Sequence, residues 1–351
     1  MKKHFYLQPH LSYLSYLVSF MFFISPVRNA DSFLLSFIFL CLCLVVSHFT
    51  FQKLFSKTIT SKNSVLFLIP ALSMILATCF FMHRLSYCCS LFSGYYSKGM
   101  QGFLFCIFTF ILCAYASSKK PSGVLNFTSF SSFILLSFFI FLFFSIKKTT
   151  PNIDFFPAFK LENYRNLKTI LYEGIFIFFD IGVFHFISSE NHSLLCIKDK
   201  KSYMFSQNIS LLIFIPILFI NTLRNINLFG NSLIEKLDFP ELSAIKSIPH
   251  FHFPEIYLFV VGLCAFIKIS SYFYVSSYLF DLSRKTQKST ISKSSTFLCA
   301  FYATLFFIVL SRILKDDFFD IRSPFFCAVC ILCIIFFYIL SFFFSKKQNI
   351  L

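Results

Sequence analysis

Ser323–Ser345 reads SPFFCAVCILCIIFFYILSFFFS, twenty-three residues without a single charge. Wound as a helix at ~1.5 Å per residue it is about 35 Å long, enough to cross a hydrocarbon core of ~30 Å. Ser32–Gln52 is a stretch of the same kind, and the pattern recurs about ten times along the chain. Lipid is therefore the expected solvent, and function has to be read from the few polar groups kept at membrane depth.

Composition supports this reading. The hydrophobic fraction is 57% and the charged fraction 13%, about half the charge of a soluble domain. The chain holds 58 Phe, 8 Gly and no Trp. Membrane helices commonly approach one another through small residues, so this bundle is expected to interlock rings instead. The net charge of +16 falls mainly between spans, at Lys53, Lys57, Lys119, Lys120, Lys198, Lys200, Arg284, Lys285, Lys288, Lys346 and Lys347. Loop charge of this kind orients helices and meets anionic lipid head groups, so the partner expected is membrane lipid and not nucleic acid.

Thirteen cysteines lie mostly inside apolar runs, where a thiol behaves as a small hydrophobe. Cys327, Cys330 and Cys333 have metal-like spacing, but their span carries no His or carboxylate, so neither a metal site nor a disulfide framework is expected. Lys2 and Lys3 ahead of an apolar run imitate a signal peptide. The many later spans favour a retained first helix.

The expected spans are Leu11–Val27, Ser32–Phe51, Ser64–Met82, Gly102–Ser117, Phe127–Ile146, Lys168–Ser188, Ile209–Leu228, Glu255–Leu279, Ser295–Leu314 and Pro324–Phe344. Two more polar stretches, Arg84–Gln101 and Gly230–Pro254, read as interfacial helices. The result is one all-α membrane domain over 1–351, with no soluble segment long enough to fold alone. An even number of crossings puts both termini on one side. Lys and Arg are too evenly divided between alternate loops to orient the bundle.

Ionisable groups inside spans cost on the order of 2.5–3.5 kcal/mol at the helix centre unless paired or wet, so they are candidate functional residues. Glu173 and Asp180 are seven residues apart on span six, nearly on one face. Lys268 lies mid-span eight in Phe266–Tyr272, FIKISSY, beside Ser270 and Tyr272. Two readings stand side by side. Span six lines a polar cavity, its carboxylates facing a ligand amine or a coupling proton and Lys268 a ligand contact or a fixed charge replacing a coupling cation; or Lys268 is structural, pairing with Asp180 to hold two helices together or snorkelling to an interface. Gly174 and Gly182 either break span six to expose backbone to a ligand or let a neighbouring helix approach closely. His185 reads as an interior histidine satisfied by hydrogen bonds. No GxSxG, HExxH or P-loop is present, so neither an enzyme nor a cofactor is expected.

The order of these features resembles the B subunit of spore germinant receptors, within the amino acid/polyamine/organocation transporter superfamily. The likeness is strongest over Ile226–Phe280, INLFGNSLIEKLDFPELSAIKSIPHFHFPEIYLFVVGLCAFIKISSYFYVSSYLF. Phe229-Gly230, Phe239-Pro240, Ile248, Glu255 and Phe266–Ser270 followed by Tyr274 fall in the family's order. Asn166-Leu167 matches the entry to span six, with Lys168-Thr169 where the family has proline. Gln8 and Asp31 fit around span one, with Ser32-Phe33 where a tryptophan is usual.

The resemblance implies a ten-helix, inverted-repeat, amino-acid-permease-like fold, with repeats over roughly 8–146 and 163–345. It implies a ligand site between spans one, three, six and eight, with Glu173, Gly174, Asp180, Lys268, Ser270 and Tyr272 as candidates. It implies sensing of a small nutrient such as an amino acid in the inner membrane of a spore, with A and C subunits as partners. The alternative is a proton- or sodium-coupled amino acid permease in a bacterial cell membrane.

Overall fold

Charge-free runs this long satisfy their backbone only as helices when water is absent, and helices are what the computed structural model contains. It describes residues 4–21, 33–55, 58–59, 67–96, 100–118, 121–145, 164–195, 200–234, 243–244, 255–283, 293–313, 323–343 and 345–346. The helices are α1 His4–Met21, α2 Phe33–Leu54, α3 Leu68–Tyr96, α4 Met100–Ser117, α5 Pro121–Ser145, α6 Tyr164–Leu195, α7 Lys200–Ile234, α8 Glu255–Ser283, α9 Lys293–Ile313 and α10 Pro324–Phe343. Two short strands, β1 Thr58–Ile59 and β2 Ser345–Lys346, pair antiparallel. Each of the ten expected spans coincides with one helix. Six of them (α2, α3, α5, α6, α7 and α8) are long and apolar enough over their described residues to cross a membrane. The protein is an all-α, multi-pass membrane protein.

Boundaries moved where a polar residue sits on a helix that is otherwise buried. Arg84–Gln101 was expected to lie at the interface, yet α3 runs on through Tyr96. Leu85, Cys88 and Cys89 continue its buried face at helical spacing, so Arg84 does not end it. Likewise Gly230 falls inside α7, which reaches Ile234. Of the rest of the expected Gly230–Pro254 surface segment, only residues 243–244 lie within the described residues. The stretch beyond Met21, where span one was expected to reach Val27, also lies outside them. At α10 the sequence writes its own start: Ser323 Oγ accepts the Phe326 N–H at 3.1 Å and Pro324 takes the first helical position.

Most of the helix contacts, though not all, recur under one shift of numbering. Adding five to each helix number turns α1 on α7 into α6 on α2, α1 on α5 into α6 on α10, and α4 on α8 into α9 on α3. The same shift exchanges α3 on α10 with α8 on α5, and α3 on α4 with α8 on α9. The α3–α8 contact, the most extensive of all, maps onto itself. Five is odd, so a five-helix unit used twice along one alternating path returns upside down. The β1–β2 bridge agrees with such a path, since alternation puts the end of α2 and the end of α10 on one side.

Rings fill the interior as the composition required. Phe176 of α6 meets Phe20 of α1, Phe80 and Phe81 of α3, and Phe326 of α10, with ring centroids 5.6–6.3 Å apart. Phe80 and Phe326 stack at 4.4 Å. The outside is equally apolar: Phe144 is 78% exposed, Leu212 72% and Phe297 69%. Water would not tolerate such a belt; acyl chains do. Among the six spans α6, α3 and α8 are the most enclosed, and they surround the polar centre.

Candidate functional site

Four helices bring one constellation together. Asp180 of α6 receives the Lys268 ammonium of α8 directly on Oδ2. Its Oδ1 accepts two phenols, Tyr16 of α1 at 2.8 Å and Tyr272 of α8 at 2.6 Å. Tyr16 also reaches the Asp180 carbonyl at 3.2 Å. Its ring serves a second purpose, because the Lys268 ammonium lies 3.5 Å from the ring centroid, with the Phe20 ring 5.8 Å away. From α3, Phe81 packs edge-on against Tyr272 at 5.3 Å, and Phe179 of α6 lies at the same distance on Tyr272.

Asp180, Lys268, Tyr16 and Tyr272 are all buried. Acid, ammonium, phenol and ring thus form a closed triangle at the meeting of α1, α6 and α8. The carboxylate is satisfied by three donors, and the ammonium by one carboxylate and one aromatic face. A desolvated pair survives only with such complete satisfaction.

The charged partners meet one another, and among the described residues both side chains are buried. Gly174 and Gly182 do not break α6, which is helical from Tyr164 to Leu195. A Cβ on Gly174 would sit 3.0 Å from both Cys43 Sγ and Phe39 of α2; one on Gly182 would sit 3.0 Å from Phe51 of α2 and 3.1 Å from Phe337 of α10. Both are therefore places of close helix approach. Glu173 is buried on α6 and by its spacing shares Asp180's face. Ser270 is buried but gives its hydroxyl to the Ile267 carbonyl of its own helix at 3.2 Å. Of the six candidates, Asp180, Lys268 and Tyr272 converge; Tyr16 joins them unforeseen.

A second polar cluster lies next to the first. His185 Nε2 is 3.1 Å from His48 Nδ1 of α2, and the Tyr13 phenol is 2.8 Å from the same nitrogen. His48 Nε2 meets Asn208 Oδ1 of α7 at 2.8 Å, an oxygen that also accepts Gln52 Nε2 at 3.2 Å. An acceptor shared in that way puts the proton of His48 on Nε2, leaving the single lone pair of Nδ1 to one donor, for which the Tyr13 hydroxyl is the nearer group. His185 is a buried histidine with His48 beside it. Close by, Ser188 accepts Gln207 Nε2 at 2.8 Å and meets the Tyr203 phenol at 2.7 Å, stitching α6 to α7. Phe184 stands between the two clusters, its ring 4.6 Å from Tyr13 and 5.0 Å from Tyr16.

Sequence reasoning missed Tyr13, Tyr16, His48 and Asn208. One signal was available: Tyr13, Tyr16 and Phe20 repeat at helical spacing on α1, and in a membrane helix a buried phenol needs a partner. Among the described residues, no three His, Cys, Asp or Glu side chains gather as a metal ion requires. Cys327, Cys330 and Cys333 are free thiols buried on one face of α10. Chemically, the central site can exchange one ion-pair partner for another, or pass a proton among a carboxylate, an ammonium and two phenols. Compared with protein-family models and with curated proteins, the chain matches none.

Proposed function

We propose that this protein is a membrane-embedded sensor of a small zwitterionic nutrient, an amino acid, acting as the B-type subunit of a spore germinant receptor. The observation that carries the reading is the Asp180–Lys268 pair, buried where α1, α6 and α8 meet and backed by α3. A charge pair in a dry interior can be opened without penalty only by a solute that replaces both halves. An α-amino acid does so: its ammonium takes the place of Lys268 at Asp180, and its carboxylate takes the place of Asp180 at Lys268. Net charge is conserved, and no uncompensated ion is left behind. A neutral solute, or one of single charge, leaves at least one buried group unmatched.

In this reading the closed triangle is the resting state. A ligand shifts the equilibrium only by its differential affinity for the open state, and Lys268 competes from within for Asp180. Asp180 and Lys268 sit on α6 and α8, and Tyr16 reaches them from α1, so opening the pair parts α6 from α8 and releases the phenol of α1. Supporting this placement are the packing symmetry and the order of sequence features shared with the germinant-receptor family. The inner membrane of a spore and the A and C subunits follow from that likeness and belong to the proposal.

The test is thermal stabilisation of the purified protein across amino acids, their amides and their deaminated acids. Zwitterions stabilise the protein, while amides and deaminated acids of equal side chain do not. Stabilisation by all three alike, or by none, rejects the reading. Accumulation of the stabilising amino acid inside proteoliposomes driven by a proton or sodium gradient points to the permease instead.

A further inference from the structure

A groove of about 200 Å³ runs between α5 and α7 on the membrane-facing side. Leu136, Phe139, Ile140 and Phe144 line one wall, and Ile217, Ile220, Asn221 and Arg224 the other. Each set follows helical spacing, so each is one continuous stripe. The α7 stripe begins directly after Pro216, a residue that removes a helical hydrogen bond and disturbs regular packing. The space exceeds the ~150 Å³ apolar cavities that accept a single benzene ring. Its walls are apolar apart from Asn221 and Arg224 at one end, where the Phe144 side chain is also found.

Direction matters here. Alternating crossings make α5 and α7 parallel, so the groove deepens from Arg224 and Phe144 towards Ile217 and Leu136. Arg224 is the single charged residue of the α7 span Ser202–Phe229, five residues from its end, or about 7.5 Å below it. An arginine there extends towards the head-group level. Its Nε and Nη2 donate to Asn225 Oδ1 at 3.2 and 2.8 Å, which fixes the guanidinium plane. Ile140 and Ile220 are 58% and 46% exposed, which leaves the groove open along its length to the bilayer.

We propose that this groove holds one acyl chain of an anionic phospholipid, with the phosphodiester on Arg224. The inference is independent of the nutrient-binding reading. An apolar trench ending in a cation is complementary to a molecule with an apolar tail ending in an anion. A guanidinium carries five N–H donors, more than the two given to Asn225 Oδ1, and makes charge-assisted bonds to phosphate oxygens. A zwitterionic lipid fills the same trench but brings its own cation to the head-group level, and so gains less from Arg224.

Native mass spectrometry of the full chain, released from detergent containing equal amounts of phosphatidylglycerol and phosphatidylcholine, tests this. The wild type retains phosphatidylglycerol with a roughly fivefold preference, the attraction of one basic residue near an anionic membrane surface. Arg224→Gln retains both lipids equally, Arg224→Lys keeps most of the preference, and Ile220→Trp, which fills the trench, lowers retention of both. Should Arg224→Gln fold poorly, Ile220→Trp and the lipid preference of the wild type still decide the matter. Equal retention of the two lipids by the wild type, or an unchanged preference in Arg224→Gln, overturns the proposal. A dimer that Ile220→Trp abolishes, with lipid retention unaltered, overturns it in favour of a second copy as the occupant.

Discussion

Removing one half of the Asp180–Lys268 pair strands the other half in a dry interior. Asp180→Asn or Lys268→Met alone is therefore expected to cost about 3–5 kcal/mol of stability. The double substitution Asp180→Leu with Lys268→Met removes both charges and restores part of that loss, the remainder being the acceptor that the Tyr272 phenol loses. Chemical denaturation in detergent measures both effects. Tyr16→Phe is the milder probe: it deletes the hydrogen bond to Asp180 but keeps the ring beneath Lys268, for a loss of roughly 0.5–1.5 kcal/mol. If the double variant is stable and no longer answers amino acids, the pair serves recognition as well as architecture.

At the scale of helices, α6 is held by glycine-sized gaps and by rings. Gly182→Leu is expected to destabilise by about 1–3 kcal/mol, because Phe51 and Phe337 close on that position from two different helices. Phe176→Ala costs more, about 3–5 kcal/mol, since rings from three other helices lose their common partner. Thermal unfolding of the variants beside the wild type reads both. The same helix shows what a sequence can and cannot tell. That α6 spans, and that Asp180 stands at depth on it, follows from a long apolar run interrupted by two carboxylates, Glu173 and Asp180. That Gly174 and Gly182 serve packing rather than a break depends on Phe39, Phe51 and Phe337, which lie far away along the chain. Arg84 was misleading for a related reason: helix α3 continues beneath it because its buried face is intact, something only the neighbouring helix α8 reveals.

For the molecule as a whole, ten alternating crossings make a simple statement about sides. Epitopes inserted after Ser118 and after Ser283 are expected to be reached from one face of the membrane, and an epitope within residues 314–322 from the other. Antibody access in sealed and opened vesicles checks this; one violation breaks the five-plus-five path. The succession of helices and the identities of Asp180 and Lys268 were open to sequence reasoning because each rests on a local anomaly of charge. The closed geometry, the phenol from α1 and the histidine pair were not, since each joins residues more than thirty positions apart. The strand pair Thr58–Ile59 and Ser345–Lys346 is of this long-range kind. It fastens the α2–α3 connection of the first unit to the end of α10 in the second. A book bound along one edge can open only at the other, and in the proposed mechanism that clasp is the bound edge, joining the stretches after α2 and α10 while α6 and α8 part at the site.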